Sequence, residues 1–368
     1  MPKAQETVLQ IDLNALTHNF NYLKSKLKPS TKFLAVVKAF AYGSDSVEVA
    51  KHLQGLEVDY FAVAYSSEGV VLRDAGITKP ILVLHPQPAN FSTIIDRCLE
   101  PSLYNAKVLN AFIEIAEKHQ QSNYPVHIKF NTGLNRLGFW ENDVDYIVSK
   151  LKATEAVLAK SIFSHLAASE DEKELEFTKT QIEGFKKTAE EFETKIGYSP
   201  WLHLCNTSGV LNFPEAHFDM VRCGIGLYGF GNSSKEDKNL KPIASLKSVI
   251  SQIHRIEKGE SVGYNRAYIA NDFEKTATIP IGHADGIGRQ YGKEKASVYV
   301  NGKPAPIIGN VCMDMLMINI TDIDCNEGDE VVIFDQDHNA NDFSKSANTI
   351  SYEILTAISQ RVKRQILK

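Results

Sequence analysis

The 368-residue chain has no apolar run approaching the roughly 18 residues that a membrane-crossing helix requires. Its opening stretch, MPKAQETVLQIDL, lacks the apolar segment and cleavage site of a signal peptide, so none is expected. There is no basic excess: net charge is −5 and the pI is near 6.1. A nucleic-acid partner, which calls for a basic stripe, is therefore not expected, and neither is a membrane. Cysteine is scarce, five residues in all (Cys98, Cys205, Cys223, Cys312 and Cys325), with no C-x-x-C pair. That excludes a disulfide framework and a zinc site of ordinary spacing, and no metal is expected. Reduced thiols and a cytoplasmic location follow as the simple expectation.

What is present is an ordinary globular composition, 43% hydrophobic and 23% charged. Short apolar runs recur over the first two thirds: FLAVV (33–37), YFAVA (60–64), ILVL (81–84), PSLY (101–104), VHIKF (126–130), SIFSH (161–165), LHL (202–204) and DMV (219–221). Longer segments with helical spacing lie between them, such as AKVLNAFIEIAEKH and EFTKTQIEGFKKTAEEFE. Strand alternating with helix predicts parallel βα units, and eight of them predict an α/β fold with a (β/α)8 TIM barrel. From about Pro242 the segments become short and alternating, with turn signals at Asn301-Gly302 and Glu327-Gly328-Asp329, which reads as a mostly β domain. The polar stretch 232–241 reads as a linker and SYEILTAISQRVKR as a helix. The expected division is 1–240 for the barrel and 241–368 for the β domain.

A barrel places its functional groups where the strands end. Those ends carry Lys38, Tyr65, His85, Tyr104, Lys129 with Asn131, His165, Asn206 with Thr207, and Arg222. Lys38 admits two readings. It is a strand-end lysine whose ammonium escapes to solvent, or a pocketed lysine with a depressed pKa suited to covalent catalysis. Cys205 and Cys223 read as small apolar packing residues.

The segment VVKAFAYG (36–43) resembles the cofactor-lysine motif of the alanine racemases, enzymes of fold-type III that depend on pyridoxal phosphate. Eight further segments match in the family's order: HIKFNTGLNRLGF (127–139), FSHLAASE (163–170), HLCNTSG (203–209), VRCGIGLYG (221–229), VGYNRAY (262–268), IPIGHADGIGR (279–289), GNVCMDM (309–315) and NTISYEI (348–354). Together they span nearly the whole chain. The resemblance implies pyridoxal 5'-phosphate as cofactor, alanine as substrate, and D-alanine for peptidoglycan as product. It implies Lys38 as the cofactor lysine and one base, with Tyr264 as the base on the opposite face. His165 and Arg222 are implied as the groups near Tyr264 that ease its ionisation, since a phenol of pKa ~10 needs neighbouring positive charge. Arg222 is also implied to face the pyridine nitrogen, where other enzymes of this cofactor place a carboxylate.

By the same resemblance Tyr42, Asn206, Thr207, Gly224, Ile225 and Tyr352 hold the cofactor, with the phosphate near the last two strands. Arg136, Met313 and Asp314 surround the substrate. Lys129 matches a lysine that some members carry as a carbamate. The family implies a homodimer whose subunits share each active site. The chain departs from the family pattern at Phe40, at Ser44-Asp45, at Asn131, at His283 and at Thr207, which stand where Asn, His-Gly, Asp, Tyr and Ser are usual. The competing readings are a broader racemase that also takes serine, a non-catalytic carrier of the cofactor resembling the barrel alone, and a related decarboxylase.

Overall fold

The first strand, β1 (Val8–Asp12), does not join the barrel. It pairs antiparallel with Ala244–Val249 and parallel with Lys363–Leu367, so both its edges are bonded within the β sheet. The computed structural model describes residues 3–368 and divides into two units. One consists of Thr17–Ala41 and Ser46–Leu240, the other of Met1–Leu16, Tyr42–Asp45 and Lys241–Lys368. The division expected from sequence put residues 1–16 and 42–45 with the barrel. The structure differs because VLQID supplies buried Val8, Leu9 and Ile11 to the β unit.

The larger unit carries eight parallel strands: β2 (Lys32–Val36), β3 (Tyr60–Val63), β4 (Ile81–Val83), β5 (Glu100–Leu103), β6 (Tyr124–Lys129), β7 (Val157–Phe163), β8 (Trp201–His203) and β9 (Met220–Cys223). Each corresponds to a run expected from sequence. The spatial order is β8-β7-β6-β5-β4-β3-β2-β9, the succession of a barrel. Strands this short and apolar suit a parallel sheet whose outer face is covered by helices.

Closure is incomplete at one seam. Among the described residues β8 and β9 form no ladder, and the backbone-to-backbone bonds at this seam are Asp219 N–H to Leu202 O (3.1 Å) and Arg222 N–H to Cys205 O (3.0 Å). The covering helices follow their sequence patterns. Ala106–Lys118 starts where Asn105 accepts the Val108 N–H (2.9 Å), and it buries Val108, Leu109, Phe112 and Ala116. Burial of each of the three large side chains contributes about 1.5–3 kcal/mol.

The second unit is a nine-stranded, mostly antiparallel sheet with a separate two-stranded ribbon. SVISQIHRI, read as one segment, is broken after Val249 and resumes at Gln252. The final segment is corrected too. Its helix covers only Ser351–Ala357, and Lys363–Leu367 is the strand beside β1. The stretch at 232–241 is more ordered than a linker, with a turn of helix at Ser234–Asp237 and Tyr22 donating to Glu236 (2.7 Å).

Candidate active site

Lys38 lies two residues beyond the last residue of β2 and opens an unusual turn. Ala39, Phe40, Ala41 and Tyr42 have φ of 52, 56, 51 and 53°, and Gly43 follows at 81°. This is one turn of left-handed helix, which costs an L-residue roughly 1–2 kcal/mol per position. Glu68 restrains its start, one carboxylate oxygen accepting the Ala39 N–H (2.6 Å) and the other the Ala64 N–H (2.7 Å). Gly43 has no alternative at its position, since a Cβ there would lie 1.9 Å from Leu355 O.

Four strand ends and one loop converge electrostatically at the barrel mouth. Burial, then the positive charges of Arg136 and Arg222, hold the Lys38 amine below its ordinary pKa. That favours the pocketed reading of Lys38 over the solvent one. Lys129 is pushed down to about 7 by burial and by Arg136, Arg222 and Lys38. Arg136 sits in a loop shaped by Asn131, whose Oδ1 accepts the N–H groups of Gly133 (3.2 Å) and Asn135 (2.9 Å).

Arg222 is buried, and its two Nη groups are fully engaged. Nη1 donates to His203 Nδ1 (2.9 Å) and His203 O (3.1 Å). Nη2 donates to Ser164 O (2.7 Å), Leu204 O (2.9 Å) and His165 Nδ1 (3.1 Å). The Nε–H is the donor left over. An arginine cannot accept, so His165 must accept at Nδ1 and carry its proton on Nε2. Burial and then Arg222 hold His165 well below its ordinary pKa, and it is neutral. In this arrangement His165 offers a hydrogen-bond donor, and the positive charge resides on Arg222.

Beside Arg222, Thr207 Oγ1 accepts the N–H groups of Gly224 (3.3 Å) and Gly226 (3.2 Å). With its oxygen accepting twice, the hydroxyl proton is left to donate outward. A Cβ on Gly226 would lie 2.6 Å from Thr207 Cγ2, so glycine is required for this approach. Asn206 acts as a cap, accepting from Gly209 N–H (2.9 Å) and Ser169 Oγ (2.8 Å). The residues present therefore suit a phosphorylated pyridine: an unengaged cationic N–H, an outward hydroxyl at a glycine turn, and a neutral-prone lysine.

In the other unit Tyr264, 70% exposed, and Met313, 59% exposed, line a groove of about 380 Å³ with His283, Arg289 and Asn310. Positive φ at Gly263 (76°) and Asn265 (58°) brackets Tyr264, and Asn310 Nδ2 donates to its carbonyl (3.0 Å). Met313 is fixed through its carbonyl, which accepts the Ala284 N–H (3.0 Å). Asp314 pairs with Arg361. The Tyr42 and Tyr352 rings lie 6.0 Å apart.

The alanine racemase N-terminal domain family model matches residues 11–231 and the C-terminal domain model matches 243–366. The chain belongs to the alanine racemase family. The alanine racemase of Carboxydothermus hydrogenoformans is 35% identical over 366 residues, covering 96% of this chain and 98% of that protein. The crystallised alanine racemase of Clostridium difficile 630 superposes with a TM-score of 0.92 at 33% identity, over 100% of this chain and 97% of its own. That of Bartonella henselae, with covalently bound pyridoxal phosphate, gives 0.90 at 28% identity over 99% and 100%. For this family member, the match of the C-terminal model removes the ground for a carrier that resembles the barrel alone.

Sequence reasoning named the mouth of the barrel but missed its interior. Glu100, His127, Ser161 and His203 are buried polar residues on four successive strands, β5 to β8. The available signal was one polar residue in each of several otherwise apolar runs.

Proposed function

We propose that this chain interconverts L-alanine and D-alanine with pyridoxal 5'-phosphate, supplying D-alanine for peptidoglycan in the cytoplasm. Full-length similarity to proteins named alanine racemase supports the substrate. The observation that carries the chemistry is Lys38, at the end of β2, kept prone to neutrality by burial and by Arg136 and Arg222. When bound, the cofactor supplies an electron-withdrawing ring that acidifies the substrate Cα–H.

The chain's own residues do the rest. Lys38 would hold the cofactor through its Nζ until the substrate amine displaces it, and the freed amine would take or return a proton on one face of Cα. Tyr264 of the partner subunit does the same on the other face, so a proton leaves to one residue while another arrives from its counterpart. Arg222, with its Nε–H as the remaining donor, would leave the pyridine nitrogen unprotonated, weakening electron withdrawal and limiting side reactions. Thr207, Asn206, Gly224 and Ile225 hold the phosphate, with Tyr42 and Tyr352. Arg136 and the Met313 N–H fix the substrate carboxylate, with Asp314 lining the pocket. A carbamate on Lys129 would orient Arg136. The active unit is a homodimer with shared sites.

The test is D-alanine formation from L-alanine by the purified chain with added pyridoxal phosphate, beside a Lys38→Ala control and a parallel L-serine assay. Lys38-dependent turnover of alanine well above serine supports this reading. Equal turnover of both would replace it with a broad racemase.

A further inference from the structure

Behind Arg222 a continuous line of hydrogen bonds crosses the barrel interior. His203 Nε2 lies 2.8 Å from Ser161 Oγ, and Ser161 Oγ lies 2.6 Å from His127 Nδ1. His127 Nε2 lies 2.7 Å from Glu100 Oε2. Glu100 is reached in addition by Tyr60 O–H (2.8 Å) and Lys160 Nζ (3.4 Å). His127, Ser161 and His203 are fully buried, and Glu100 nearly so. Around His127 the groups are Tyr60 on β3, Glu100 on β5, Lys160 and Ser161 on β7, and His203 on β8.

The two ends decide the direction of every proton between them. Arg222 can only donate, so His203 accepts at Nδ1 and bears its proton on Nε2. His203 Nε2–H then donates to Ser161, whose hydroxyl must turn to His127 Nδ1. His127 is left with its proton on Nε2, which donates to Glu100. A carboxylate can only accept, and it closes the line. With His127 neutral and Glu100 ionised, no other assignment satisfies all four contacts. Reversal would require Arg222 to accept, so the line cannot conduct a proton. Burial opposes ionisation of Glu100, but the hydrogen bond from His127, with the Lys160 charge and the Tyr60 hydroxyl, holds the carboxyl below the usual range.

We infer that Glu100, His127 and Ser161 are positioning residues for Arg222: they lock His203 as an acceptor, consume Nη1, and so leave only Nε–H to face the cofactor site. The consequence for the cofactor rests on the function proposed above. The locked proton arrangement does not.

Two readouts separate these. The first is the ¹⁵N spectrum of histidine-labelled full-length protein, with His127 and His203 assigned by substitution. Wild type should show His203 with its proton on Nε2 and its Nδ1 accepting. Ser161→Ala removes the acceptor of one ring and the partner of the other, so the signals of both His203 and His127 should shift. Ser161→Thr restores the hydroxyl and should restore the wild-type signals. Glu100→Gln, where Ser161→Ala fails to fold, should disturb the His127 signal in the same spectrum. An Nδ1–H tautomer at His203 in wild type, or an unchanged His127 in both variants, overturns the inference whether or not the protein racemises alanine. The second readout is kinetic. Ser161→Ala should lower kcat about tenfold, the scale of one lost hydrogen bond, with KM for alanine little changed and Ser161→Thr recovering. Loss in KM alone would overturn the positioning role.

Discussion

Arg361 donates from Nε to Asp285 at 2.6 Å and from Nη2 to Asp314 at 2.5 Å. Asp285 is nearly buried, while Asp314 neighbours Met313. One guanidinium thus ties the turn at His283–Asp285 to the loop that presents Met313. Its hydrogen bonds to the carboxylates of Asp285 and Asp314 raise its already high pKa further, so the charge is permanent. Arg361→Met should lower the melting temperature and raise KM for alanine more than it lowers kcat. Arg361→Lys keeps the charge but not the fork, and should recover only part of either effect. An unaltered KM in Arg361→Met would show that the loop is held without this contact.

Lys129 carries a pH signature. Its amine titrates at about 7 in the folded chain, against an ordinary 10.5. Between those values the unfolded state binds more protons, so stability should rise with pH across that window. The slope from this group approaches about 1.4 kcal/mol per pH unit. Urea titrations from pH 7 to 10 should show it, and Lys129→Met should flatten it. The neutral amine also suits carbamate formation, in which Nζ bonds to CO₂ and releases one proton. The resulting anion would turn three like-charge repulsions, with Arg136, Arg222 and Lys38, into attractions. ¹³C-bicarbonate should give a carbamate resonance that Lys129→Ala abolishes.

Phe40 stands in the left-handed turn at φ 56°, a conformation that asparagine tolerates far better than a bulky residue. Phe40→Asn should stabilise the protein by about 0.5–1 kcal/mol, or roughly 2 °C in melting temperature. A lower melting temperature would show that Phe40 side-chain contacts outweigh the backbone strain.

A shared active site predicts complementation. Lys38→Ala and Tyr264→Ala chains should each be inactive, and mixing them with subunit exchange should form hybrids holding one intact site. Activity near a quarter of wild type is expected for random exchange, since about half the dimers are hybrids with one working site of two. No recovery after exchange is verified by mass would rule out shared sites.

Much of this molecule was legible because its strands are short, apolar and regularly spaced. FLAVV, YFAVA and VHIKF each become a barrel strand, and Lys38, Lys129 and Arg222 follow from their ends. What escaped had no periodic signature. VLQID falls inside the stretch assigned by sequence to the barrel, and its two bonded neighbours, far away in sequence, place it in the other unit. The left-handed turn at 39–42 is built from Ala, Phe, Ala and Tyr, none of which favours positive φ; Gly43 alone hints at it. The helix at Ser351–Ala357 ends within a pattern that continues to look helical, because pairing with β1 claims the residues beyond it. Glu100, His127 and Ser161 resembled isolated polar interruptions until adjacent strands aligned them.

The incomplete seam between β8 and β9 gives Arg222 a second occupation. Its backbone N–H and its guanidinium both cross from β9 to β8, reaching Cys205 O, His203 O and Leu204 O. The guanidinium is thus also a stitch in the barrel wall. A carboxylate in its place would reopen the wall, because it has no protons to offer those carbonyls. If this side chain also serves the cofactor as proposed, a change in that role would have to keep the wall closed.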